Sequence, residues 1–223
     1  MVSLDEYFGD WLKVIDTQLL TELTNTLAIE YSKHNCRPAI TDVFKVFNVT
    51  PYSELCQVWI LSEPYCNNDK ATGIALANKI DEVSLSPSLE VVKESIINFE
   101  VPHKMITFVP TLEGWSKQGI LLLNSALTVE YNKPGSHLLI WKPFIQSLLY
   151  KLSEINPGLI YVLWGRKAQS FRNCINSNNH VYLYEDPLMY ANFNHKIPYK
   201  VFTTLKYKTK ELFDKEIKWY EEI

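Results

Sequence analysis

Four short apolar runs constrain this chain more than any other feature: Gln57 to Leu61, Met105 to Val109, Ile120 to Asn124, and Leu159 to Trp164. Each is four to six residues long and bounded by polar or turn-forming residues. Because they lack a polar side on alternate positions, they read as strands covered on both faces, which is the pattern of a parallel sheet between helical layers. Amphipathic helical stretches lie between them at Ser88 to Ile97 and Lys142 to Ile155, the first opened by Ser86-Pro87 in the manner of a helix start. Upstream, Trp11, Leu12, Ile15, Leu19, Leu20, Leu23 and Leu27 recur at helical spacing. Strand and helix in alternation predict a doubly wound α/β fold with a central, mainly parallel four-stranded sheet flanked by helices. Ligands of such sheets bind where strands end, so the residues after each run are where chemistry is expected. These are Ser62-Glu63-Pro64-Tyr65-Cys66, Asn124-Ser125-Ala126-Leu127-Thr128 and Gly165-Arg166. A fourth segment, Tyr184-Glu185-Asp186-Pro187-Leu188, follows a weaker strand candidate, His180 to Leu183.

The 223 residues fit one domain with a core large enough to need neither disulfides nor a structural metal. Hydrophobic residues make up 47% and aromatic residues 13%, a globular composition without repeat, low-complexity tract or linker. Cys36, Cys56, Cys66 and Cys174 form no CxxC, so neither a zinc site nor a disulfide framework is signalled, and no cofactor is expected. No run approaches the ~20 apolar residues of a membrane span and no basic-then-apolar leader opens the chain, which predicts a soluble intracellular protein. The net charge of −3 argues against strong nonspecific nucleic-acid binding. The late basic residues Lys196, Lys200, Lys206, Lys208 and Lys210 read equally as a basic face or as a solvated surface balanced by Glu211, Asp214, Glu216, Glu221 and Glu222.

From Leu112 to Ala168 the chain carries Glu113-Gly114-Trp115-Ser116-Lys117-Gln118-Gly119, then Ile120 to Asn124, Leu127-Thr128-Val129, Gly135-Ser136-His137 and Leu163-Trp164-Gly165. In this order they resemble family 1 uracil-DNA glycosylases, and the resemblance runs over nearly the whole chain, with this stretch its strongest part. Two catalytic motifs depart from the family pattern. Where members have Gly-Gln-Asp-Pro-Tyr-His, this chain has Ser62-Glu63-Pro64-Tyr65-Cys66, with Glu63 for the aspartate, Cys66 for the histidine and room for a one-residue deletion. Where members have His-Pro-Ser-Pro-Leu, it has Tyr184-Glu185-Asp186-Pro187-Leu188, so that Tyr184 stands at the histidine that stabilises charge on the leaving uracil.

The resemblance further implies that Asn124 pairs with the uracil edge, that Tyr65 blocks the thymine methyl, and that Leu76 replaces a stacking phenylalanine. It also implies DNA contacts from Ser88 in the proline-rich loop, from Gly165 and Arg166, from Pro187, and from Leu188 as an intercalating wedge. His137 and His180 read as structural, and His195, which follows the second motif, reads as structural or as a relocated donor. On these residues the leading expectation is a glycosylase-fold protein that binds DNA or a flipped uracil with lost or weakened catalysis. One alternative is an active uracil-DNA glycosylase that uses Glu63. Another is a protein-interaction role, as decoy for a glycosylase inhibitor or as a replication-complex subunit. An Asn-, Lys- and Tyr-rich chain of this kind would suit a viral or mobile-element source.

Overall fold

The computed structural model describes residues 3–67, 70–80, 84–100 and 106–222. Its main sheet has four strands, Gln57–Leu61, Ile120–Asn124, Ile160–Trp164 and His180–Tyr184, referred to below as first to fourth in chain order. All pair in parallel, and their spatial order is second, first, third, fourth. The first three are buried along their whole length, as runs apolar on both faces require.

Alternation along each strand divides the core in two. Val58, Ile60, Leu121, Leu123, Tyr161 and Leu163 face one layer, packed with Leu20, Leu23 and Leu27 of helix Thr17–Lys33 and with Trp141, Ile145 and Leu149 of helix Leu138–Ile155. Trp59, Leu122, Val162 and Trp164 face the other, with Leu89 and Val92 of helix Pro87–Glu100 and Phe202 and Leu205 of helix Lys200–Phe213. In this second layer the rings of Trp59 and Trp219 lie 5.8 Å apart, and Trp115 Nε1 donates to the Trp219 carbonyl at 3.0 Å. The C-terminal segment is thereby folded back onto the sheet.

The predicted strand at Met105 to Val109 does not join this sheet. Ile106–Thr107 pairs antiparallel with Glu221–Glu222, and Met105 lies outside the described residues. The fourth parallel strand is instead His180–Tyr184. As an edge strand it is only half-buried, which is why its apolar signal is weak. The N-terminal helical pattern is likewise two elements. A 3-10 turn spans Gly9–Lys13, and Asp16 then caps the helix by accepting from the Gln18 and Leu19 amides at 3.1 and 3.2 Å. Among the described residues no helix is long and apolar enough to cross a membrane.

Candidate nucleobase site

Strand order reverses between the first and third strands, and a cavity of about 810 Å³ opens at their carboxyl ends. The sheet register brings the motif residues there. Leu61 pairs with Asn124, so the loop that begins at Ser62 leaves the sheet beside the end of the second strand. The Ser125 amide and hydroxyl both donate to the Leu61 carbonyl, at 2.8 and 2.7 Å, and lock these two ends together. On the other side Trp164 pairs with Tyr184, which sets Gly165 against Asp186. Gly165 has φ +79, and a Cβ there would lie 2.9 Å from the Asp186 Cβ. Only glycine fits this approach without displacing the neighbouring chain.

Of the residues singled out in the sequence, Glu63, Tyr65, Leu76, Ser88, Asn124, Gly165, Arg166 and Leu188 all line the cavity. Asn124 is 9% exposed and its carboxamide makes no hydrogen bond to any described residue. A buried amide with one donor and one acceptor face unused is a preformed partner for a planar ligand of complementary edge. Leu188 stands 44% exposed on the helix Pro187–Asn192 and lines the cavity. Arg166 is exposed on the same lining.

Tyr65 forms a wall pinned at its far end. Its hydroxyl donates to the Leu76 carbonyl at 3.0 Å and lies 2.5 Å from Ser86 Oγ. Burial pushes the phenol up to about 12, so it stays protonated and keeps that donor. Leu76 adopts φ +66, a left-handed conformation unfavourable for a branched side chain.

Glu63 is only 11% exposed and both its oxygens are engaged. Oε1 meets Lys167 Nζ at 2.6 Å and Oε2 accepts from the Gly135 amide at 2.6 Å. Asp186 is a second carboxylate on the cavity lining. Its Oδ2 accepts from the Ser62 hydroxyl at 2.5 Å, and its Oδ1 accepts from the Leu188 amide at 2.9 Å, capping the helix that carries Leu188. Burial raises the Cys66 thiol, leaving it a neutral lining group.

Two expected residues lie elsewhere. Tyr184 is not on the cavity lining: its ring packs 5.0 Å from Trp164 and stacks 6.5 Å from Tyr182, because alternation along the fourth strand turns it into the second core layer. Pro187 is buried at the start of its helix and contributes shape there rather than surface. Conversely, sequence reasoning found no place for Lys167 or Asn78, and Ser86 entered only as part of a helix start, without its bond to Tyr65. Lys167 follows Arg166 at a strand end, a signal that was available. The late lysines resolve toward a solvated face: Lys206, Lys208 and Lys210 pair with Glu216, Glu211 and Asp214.

A parallel α/β sheet with a cavity of about 810 Å³ at its topological switch point, lined by apolar side chains with the polar groups of Asn124, Glu63 and Asp186 among them, defines the class of α/β protein that takes a ligand at its strand ends. Comparison with known proteins makes that class specific. The family model described as the Uracil DNA glycosylase superfamily matches residues 54–211, and the chain belongs to that family. A uracil-DNA glycosylase of Fusobacterium nucleatum is 32% identical over 224 residues, spanning 95% of both chains. One from Campylobacter lari is 32% identical over 80% of this chain and 74% of its own. Among solved structures, mimivirus uracil-DNA glycosylase superposes with a TM-score of 0.74 at 18% identity, over 97% of this chain and 91% of that one. A mimivirus UNG variant in complex with UGI matches with a TM-score of 0.67 at 22% identity, over 84% and 77%.

Proposed function

We propose that this protein is a uracil-DNA glycosylase that draws a flipped uracil into the cavity between the first and third strands and hydrolyses its N-glycosidic bond. The observation that carries this reading is the buried carboxamide of Asn124, without a hydrogen-bond partner among the described residues, on the same cavity lining as the pinned ring of Tyr65. The amide offers its NH₂ to a ring carbonyl and its oxygen to a ring N–H, which matches the edge of uracil. Tyr65, held at its hydroxyl, would stand against the 5-position of a pyrimidine so bound and exclude a methyl group there. Relatives named uracil-DNA glycosylase at 32% identity support an enzyme over the impaired protein expected from the altered motifs.

In the proposed reaction the bond between the sugar carbon and the base nitrogen breaks, and its electron pair leaves with the uracil. The sugar cation is stabilised by the charge of Glu63 and captured by water, whose proton passes to a carboxylate of the site. Leu188 fills the gap in the duplex, while Ser88, Gly165 and Arg166 meet the DNA backbone.

Binding without chemistry is the second reading, and two observations favour it. No histidine is among the described lining residues, and Glu63 is held by Lys167. A protein partner would meet the cavity mouth, where Leu188 and Met189 are exposed; no observation singles out a replication complex or a viral source. Timed release of uracil from single- and double-stranded DNA tests the proposal. Uracil release that disappears in Glu63→Gln supports the glycosylase. Tight, uracil-selective binding without release supports the second reading, and equal weak binding to uracil and thymine duplexes would refute both.

A further inference from the structure

The Tyr65 wall of the cavity that Asn124 also lines is not held by its own packing alone. Tyr65 has a single hydroxyl proton, given to the Leu76 carbonyl at 3.0 Å. The 2.5 Å contact with Ser86 is then a bond in which the Ser86 hydroxyl donates and the Tyr65 oxygen accepts. Consistent with that order, Ser86 Oγ also accepts from the Leu89 amide at 3.4 Å, inside the first turn of helix Pro87–Glu100. The Ser86 backbone is itself fixed, because its amide donates to Asn78 Oδ1 at 3.0 Å. Asn78 and Ser86 are 0% and 2% exposed. The Asn78 backbone N–H donates in turn to the Pro110 carbonyl at 2.9 Å, so the chain of bonds runs from the cavity wall into the protein frame.

We infer that Ser86, held by Asn78, is a specificity-determining positioning residue: it anchors the hydroxyl of Tyr65 so that the ring cannot swing aside for a 5-substituted pyrimidine. This rests on the proposed uracil-binding function of the cavity. A phenyl ring of the same bulk but without its anchor could pivot about its side-chain torsions, and a methyl or bromine at the pyrimidine 5-position would then be admitted. Exclusion of thymine is thus a matter of rigidity as well as size. Neither Ser86 nor Asn78 needs to touch the base for this to hold.

The test uses the full chain and duplexes that differ only in one base opposite guanine: uracil, thymine or 5-bromouracil. Dissociation constants are measured for wild type, Ser86→Ala, Tyr65→Phe and the double variant. Loss of one anchoring bond is expected to narrow the ratio of thymine to uracil dissociation constants by about 3- to 10-fold, with 5-bromouracil following thymine. Tyr65→Phe removes the same bond and the one to Leu76, so its narrowing should be at least as large, and the double variant should resemble Tyr65→Phe. A merely structural role would weaken binding of all three duplexes alike and leave the ratio unchanged, as would an irrelevant bond; either result overturns the inference. Should Ser86→Ala fail to fold, Tyr65→Phe alone decides, since it keeps the ring and its packing. A wild type that shows no uracil preference would instead overturn the binding function beneath it.

Discussion

Replacing Glu63 by Gln tests the chemistry most directly, because it removes a charge and little else. A carboxylate about 4 Å from the sugar cation, at an effective dielectric of roughly 20, contributes about 4 kcal/mol, or about 10³-fold in rate. The Lys167 ammonium 2.6 Å from Oε1 opposes that field, so the loss expected for Glu63→Gln is at least about 10²-fold rather than the full amount. Folding should survive. The Gly135 amide can still donate to the Gln oxygen, and the ion pair involves a lysine that is 39% exposed, which limits its worth to about 1 kcal/mol. In a domain of this size that corresponds to a fall in Tm of about 2–4 °C. Single-turnover release of uracil from a single-stranded oligonucleotide, with a thermal melt of each protein, separates the two effects. A Glu63→Gln rate within threefold of wild type, in a folded protein, would refute the assignment of this carboxylate and direct attention to Asp186.

Asn124→Ala should weaken binding of a uracil duplex by about 1–3 kcal/mol and leave a thymine duplex unaffected, read from binding isotherms at one fixed salt concentration. Arg166→Ala should reduce the slope of log affinity against log salt by about 0.9, whereas Ala at Lys206, Lys208 and Lys210, already paired with acids, should not. His137 supplies a pH dependence of stability. Its Nδ1 is hydrogen-bonded to Thr128 Oγ1 at 2.8 Å, and that oxygen also accepts from Trp141 Nε1 at 2.6 Å. Burial lowers its pKa from the ordinary 6.5, outweighing the opposing pull of Glu30 and Glu130 and adding to the repulsion from His34. A depressed basic group favours the folded state above the unfolded value and loses that contribution as pH falls. Urea melts at pH 7.5 and 5.5 should therefore show an acid loss that is smaller in His137→Asn; equal losses in both proteins would refute it.

Much of the site is legible in the sequence because its residues are tied to local features. Glu63 and Tyr65 follow the first strand, Asn124 ends the second, and Gly165 and Arg166 follow the third. Once the apolar runs are read as parallel strands, the switch point collects them. The same logic places Tyr184 elsewhere. It occupies a motif position, but period-two alternation on the fourth strand faces it into the core against Trp164, and the sequence there carries no mark of which side is which.

Periodicity and residue chemistry therefore determined the sheet, the layers and most of the cavity lining, because each depends on a window of a few residues. Tertiary structure alone decided that Ile106–Thr107 leaves the main sheet to pair with Glu221–Glu222, that Lys167 reaches Glu63, and that Ser86 anchors Tyr65. In each of these the partners are separated by 21 to more than 100 positions. Their meeting depends on how the layers close around the sheet, and no local pattern of hydrophobicity or charge encodes it.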